Sequence, residues 1–143
     1  MYYTIGEVAN ATGIAISTLR YYDREGMFPD MERSSGGIRV FSDKELGTLK
    51  VVECLKHAGM SIKDIKEFLG WCQEGDATLP QRRRMFHDRL AEVERQMDEL
   101  RNTMNLLRYK CWYYDTAVAA GTEDAVRDLP DEDVPEDLRD YRI

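Results

Sequence analysis

The 143-residue sequence is poor in the residues that build disulfide frameworks and metal centres, with three cysteines and two histidines in all. Cys54, Cys72 and Cys111 are odd in number, widely separated and free of any Cys-x-x-Cys pair. That pattern argues against a disulfide scaffold or a structural zinc site and fits reduced thiols. No apolar run approaches the length of a membrane span, and Met1-Tyr2-Tyr3-Thr4 has neither the basic nor the apolar region of a secretion signal. The expected compartment is the cytoplasm, with no membrane partner. Net positive charge is also lacking: 20 Lys/Arg against 27 Asp/Glu give a formal net charge of −7. Its distribution is uneven, however. Residues 1–75 carry nine Lys/Arg against eleven Asp/Glu, whereas residues 122–143 alone carry three against nine. The acidity sits in the tail, and a local basic face on the rest stays open.

What is present is 43% hydrophobic and 33% charged, a composition for a globular domain or a helical rod. Thr4-Ile5-Gly6-Glu7 has the form of a capping box and opens a short helix to about Ala11. Thr12-Gly13-Ile14 supplies a tight turn, and a second helix follows from Ala15 or Ser17 to Glu25, with Gly26 as its stop. Met31 to Arg33 and Ile38 to Phe41 flank Ser34-Ser35-Gly36-Gly37, a hairpin pattern. Ser42-Asp43-Lys44-Glu45 is a second capping box, beginning a helix that ends at Gly59. Ser61 starts a fourth, to about Trp71. This order is that of a winged helix-turn-helix, assigned to residues 1–75.

The second half differs in kind. Thr78 as N-cap, Pro80 and Gln81 open a helix predicted from Pro80 to about Ala120, closed by Gly121. Along it Phe86, Leu90, Val93, Met97, Leu100, Met104, Leu107, Cys111, Tyr114 and Val118 recur at alternating steps of four and three, a heptad seam. A helix of roughly 60 Å is too long to lie across so small a domain, so it needs a partner, most simply its twin. Residues 76–121 form this dimerisation segment, and residues 122–143 an acidic tail, either loose or a short docked segment.

The second helix carries chemistry that apolar packing does not explain. With Ile16 and Leu19 on its apolar side, Ser17, Thr18, Arg20, Tyr21 and Arg24 are left for the other sides. Arginine can bond a guanine edge through two hydrogen bonds, and hydroxyls bond phosphates. The alternative is structural: Tyr21 or Tyr22 packs against the hairpin, and Arg20 pairs with Asp23 or Glu7.

Taken together, "YYTIGEVANATGIAISTLRYYDREGMFP", "RSSGGIRVFS" and "CLKHAGMSIKDIKEFL" resemble the MerR family of bacterial transcription regulators, over residues 2 to about 70. The resemblance implies a mostly α fold: a winged helix-turn-helix DNA-binding domain followed by a long dimerisation helix in an antiparallel coiled coil. It also implies homodimers that bind pseudo-palindromic promoter DNA, distort an over-long spacer in response to an effector and so present the promoter to RNA polymerase. DNA contacts then fall on Thr4, Ser17, Thr18, Arg20, Tyr21, Tyr22 and Arg39, with Lys63 and Lys66 on a second wing. Phe41 stands where many members have a wing tyrosine.

No cofactor is called for, and the metal-ligand sets of some members cannot be assembled from these residues. The effector is left as a small molecule, an electrophile or a redox signal. Cys54 resembles the single cysteine of the family's electrophile-responsive branch, with Lys50 and His57 on its helix face. Its neighbours Val51, Leu55 and Ala58 instead favour a buried structural thiol. Cys111, Trp112, Tyr113 and Tyr114, with Trp71 and Cys72 of a partner chain, form an aromatic pocket in one reading; in the other they dock the tail. Two competing functions are a coiled-coil adaptor with a degenerate DNA-binding domain and a thiol enzyme, the latter disfavoured because no His/Asp or His/Asn set surrounds any cysteine.

Overall fold

A computed structural model describes residues 1–142. In chain order the elements are β1 (Tyr2–Tyr3), α1 (Ile5–Thr12), α2 (Ile16–Arg24), β2 (Glu32–Arg33), β3 (Arg39–Ser42), α3 (Asp43–His57), α4 (Ile62–Glu74), α5 (Leu79–Ala120) and α6 (Asp124–Arg127). Short 3₁₀ turns cover Asp76–Thr78, Asp131–Asp133 and Glu136–Tyr141. Two compact units result, residues 1–89 and 90–143. Among the described residues no helix is long and apolar enough to cross a membrane.

Both capping boxes form. Thr4 Oγ1 accepts from the Glu7 amide while the Glu7 carboxylate accepts from the Thr4 amide at 2.7 Å, and Ser42 and Glu45 repeat the exchange at the start of α3. Each box satisfies two of the amides that a helix start leaves unbonded. Gly13 ends α1 at φ 74°, its amide bonded to the Ala9 carbonyl. Gly59 ends α3 in the same left-handed region, and a Cβ there would lie 2.5 Å from Nη2 of Arg89. That close approach has a function: Arg89 Nε donates to the Ala58 carbonyl at 2.6 Å, tying the end of α3 to the start of α5.

The first unit is organised around Leu19, Tyr22, Met27, Phe41, Leu49, Val52 and Ile65, all at most 1% exposed. Phe28 meets Phe41 edge-on with centroids 5.6 Å apart, so the hairpin is fastened to the chain that leaves α2. The hairpin pairs Glu32 with Val40 and Arg33 with Arg39. A third strand absent from the sequence reading, β1, pairs with the other edge of β3 and puts Tyr3 opposite Phe41.

Two sequence expectations change. The fourth helix runs on to Glu74 rather than stopping at Trp71. Thr78 is not an N-cap; it is 3% exposed, and its hydroxyl faces the carbonyls of Trp71 and Gly75 at 2.5 and 2.9 Å, closing the end of α4 instead. Helix α5 then continues for 42 residues, about 63 Å.

In the second unit the acidic tail is docked. Tyr109, Val134 and Leu138 form a buried cluster, with Trp112, Tyr113 and Tyr141 packed around it. Asn105 donates to the Tyr141 hydroxyl at 3.0 Å, and Arg142 binds the carbonyls of Arg127 and Leu129 and the carboxylate of Asp131. The tail covers the α5 face of residues 105, 109 and 112, spaced four and three apart. The seam of residues 104, 107, 111, 114 and 118 lies on another face and stays exposed, from 44% at Met104 to 80% at Val118.

Candidate nucleic-acid interface

Helix α2 is built so that one side is anchored and the other is presented. Leu19 and Tyr22, three apart, are buried in the core. Ser17, Arg20, Tyr21 and Arg24 are exposed, and their spacing of three, one and three residues places them on a single face. Arg20 and Arg24 have no hydrogen-bond or ion-pair partner among the described residues. The two acids that the sequence offers Arg20 as ion-pair partners are occupied: Glu7 by the capping box and Asp23 by the hairpin arginines. Thr18 is half-buried beside this face.

Asp23, 14% exposed at its side chain, holds two wing arginines: Arg39 Nε at 2.6 Å and Arg33 Nη2 at 2.9 Å. Arg33 also donates to the Gly37 carbonyl at 3.1 Å. Helix α2 and the β2–β3 hairpin are thereby locked together as one surface, with two guanidinium groups sharing one carboxylate. Arg24, read from the sequence as one of the outward residues of this helix though not among the contacts the resemblance implies, lies one helical turn beyond Arg20; Arg33 has no such role in the sequence reading and is brought in by strand pairing.

Tyr22, which the resemblance implies as a DNA contact, is instead packed inward. It is 1% exposed, and its hydroxyl donates to Glu53 at 2.7 Å and accepts from Lys56 at 3.2 Å, both on α3. Burial and then the Glu53 carboxylate raise the Tyr22 phenol above its ordinary range, while Lys56 opposes them. The same hydroxyl raises the Lys56 ammonium. Replacing Tyr22 by Phe is expected to lower unfolding free energy by about 1 kcal/mol, the worth of a part-buried hydrogen bond, without changing DNA affinity per folded molecule. Chemical denaturation and a binding titration on the same sample check this; weaker binding at unchanged stability would return the hydroxyl to the DNA surface.

Thr4 is exposed at the start of α1 with its hydroxyl engaged by Glu7. Lys63 is exposed on α4 without a partner among the described residues, whereas Lys66 reaches Glu25 at 3.5 Å, linking α4 to the end of α2. Phe41 is fully buried.

The cysteines are all exposed, which overturns the buried reading of Cys54. Glu45, Leu49, Val52 and Leu55 make the core face of α3, while Val51 and Ala58 are themselves exposed. Cys111 lies on the uncovered seam. Cys72 has Arg82 Nη1 4.0 Å from its sulfur and belongs with half-buried Trp71 to the first unit. Trp112 and Tyr113 ring Tyr109 with centroids 5.9 and 6.2 Å away and serve as the platform for the tail; Tyr114 stays exposed beside them, 5.0 Å from Tyr113.

Residues 3–70 match the family model described as MerR HTH family regulatory protein, and residues 46–109 match the one described as MerR, DNA binding. An uncharacterised HTH-type transcriptional regulator of Haemophilus influenzae is 41% identical over 126 residues, 88% of this chain and 93% of its own. A crystal structure of HiNmlR, a MerR family regulator lacking the sensor domain, bound to promoter DNA, superposes with a TM-score of 0.71 at 42% identity, covering 91% of this chain and 98% of that one. A MerR family transcriptional regulator from Bacillus thuringiensis gives a TM-score of 0.63 at 37% identity over 78% of this chain and 97% of that one.

Proposed function

The chain belongs to the MerR family of helix-turn-helix DNA-binding transcription regulators, and from that premise we propose that it acts as a homodimer whose two reading heads grip one promoter and deform the DNA between them. The observation that carries this reading is the pairing of two exposed features: the Ser17–Arg20–Tyr21–Arg24 face of α2 and the uncovered apolar seam of α5. Soluble chains rarely leave so long an apolar stripe open unless another surface covers it.

A second copy covers it naturally. The seam steps are palindromic, so two copies laid head to tail about residue 102 match Phe86 with Val118, Leu90 with Tyr114, Val93 with Cys111, Met97 with Leu107 and Leu100 with Met104. Every seam residue then meets another, which is the layer pattern of an antiparallel coil. Such a dimer holds its two α2 helices at a fixed separation, as a two-fold-related DNA site requires.

Deforming a promoter-length duplex costs on the order of 1–10 kcal/mol. Phosphate contacts from two heads and two wings are of the size to supply it, and a shift of a few kcal/mol in the dimer then selects between two DNA shapes. The effector is a small molecule, an electrophile or a redox signal acting through Cys54, Cys111 or the aromatics near them. The product of the deformation is a promoter that RNA polymerase can engage. The chain is a cytoplasmic regulator and not an enzyme, in keeping with relatives that are transcription regulators.

Footprinting on the promoter regions of its own and neighbouring genes tests the reading. One protected, pseudo-palindromic site is expected, with affinity falling about 10³–10⁵-fold between 50 and 200 mM salt if six to ten phosphates are contacted. Salt-independent binding, or equal affinity for every duplex, would refute it.

A further inference from the structure

Resting on the dimer proposed above, we infer that the first turns of α5 are the docking surface for the acidic stretch 115–128 of a second copy, where its coil ends, so that each end of the coil is closed by an interchain electrostatic clamp. Leu79, Pro80, Arg83, Arg84 and His87 line an open groove on that surface. Leu79 is 52% exposed, and neither Arg83, Arg84 nor His87 has a hydrogen-bond or ion-pair partner among the described residues. Arg82 is not available in the same way, because it donates to the Gly75 carbonyl at 2.8 Å and closes the end of α4. Two free guanidinium groups beside exposed aliphatic surface call for an acidic partner.

The chain carries one. Residues 79–89 hold four arginines against Asp88, whereas residues 115–128 hold Asp115, Glu123, Asp124 and Asp128 against Arg127 alone. Within the second unit Arg142 engages Asp131, and Arg127 engages Glu123 and Asp124. The carboxylates of Asp115 and Asp128 have no partner among the described residues.

Seam register brings these charges together. Pairing about residue 102 sets Arg83 level with Gly121 of the second copy, where its acidic segment begins, and His87 level with Ala117, two residues from Asp115. A parallel pair would do the reverse, putting basic start beside basic start and acidic end beside acidic end, which is repulsive at both ends. The charge asymmetry of the helix therefore selects the head-to-tail arrangement and adds attraction at its two ends.

The test is a set of charge reversals in the full chain, read as the dimer dissociation constant by sedimentation equilibrium at 50 mM and 500 mM salt. Arg83→Glu/Arg84→Glu and Asp115→Lys/Asp128→Lys are each expected to weaken the dimer about tenfold at low salt, with little difference at high salt. A chain carrying all four reversals is expected to recover wild-type affinity, because attraction is restored with its sign exchanged. Thermal melts by circular dichroism separate a lost clamp from a lost fold, and recovery in the fourfold variant cannot come from misfolding. Dimers whose affinity ignores the single-end reversals, or a fourfold variant weaker than both, would overturn the clamp while leaving the dimer intact. A wild-type chain that is monomeric at micromolar concentration would instead remove the dimer itself.

Discussion

Replacing Leu100 and Met104 together by Glu is expected to convert the protein to monomers at about 10 μM and to remove detectable binding to its promoter site. In head-to-tail register Leu100 faces Met104 of the other copy on both sides of the two-fold axis, so the double substitution brings four carboxylates to the middle of the seam. Full burial of one such apolar side chain is worth about 1.5–3 kcal/mol, and four of them about 6–12, comparable with the roughly 12 kcal/mol of a nanomolar complex. The isolated chain loses nothing similar, since Leu100 is 69% and Met104 44% exposed there. Helix content and melting of the monomer should therefore stay close to normal. DNA binding suffers because two linked heads bind about 10²–10⁴-fold more tightly than one. Sedimentation equilibrium and a gel shift read the two effects; a variant that still dimerises and binds its site would show that the seam is not the interface.

What could be read from sequence in this fold is what is encoded locally. Thr4 with Glu7 and Ser42 with Glu45 exchange hydrogen bonds across three residues, so both helix starts are visible in a four-letter window. Strand β1 is not visible, because two residues carry no periodicity and its existence depends on pairing with Phe41 and Ser42 some forty positions away. Tyr22 is ambiguous for the same reason. It lies three residues from Leu19, but the partners that bury its hydroxyl, Glu53 and Lys56, arrive from α3. The buried reading of Cys54 fails because α3 has apolar residues on more than one face, and Val51 and Val52 cannot both point inward; the structure buries Val52 and leaves Val51 40% exposed. The tail reads as either loose or docked since Val126, Val134 and Leu138 are sparse among acids; all three are buried, which is the docked alternative. The face of Tyr109 and Trp112, on which Val134 and Leu138 dock, is hidden by the stronger seam in the same helix.

Arg20→Ala is expected to weaken specific binding by about 1–3 kcal/mol per half-site and to relax base preference at one position in each half, as loss of a two-pronged contact to a base edge does. With two heads the total is about 2–6 kcal/mol, which spans roughly thirtyfold to more than ten-thousandfold in affinity. The fold should tolerate it: Arg20 is exposed and unpaired among the described residues, and the Asp23 contacts that hold the wing to α2 run to Arg33 and Arg39. Lys63→Ala supplies the contrast. If Lys63 touches a phosphate, its loss weakens all sequences alike and lowers the salt dependence by about one unit per half-site. Competition titrations against single-base variants of the site, repeated at two salt concentrations, separate the roles. An Arg20 variant with unchanged base preference but a shallower salt slope would make Arg20 a backbone contact, and sequence reading would pass to Ser17, Tyr21 and Arg24 on the same face.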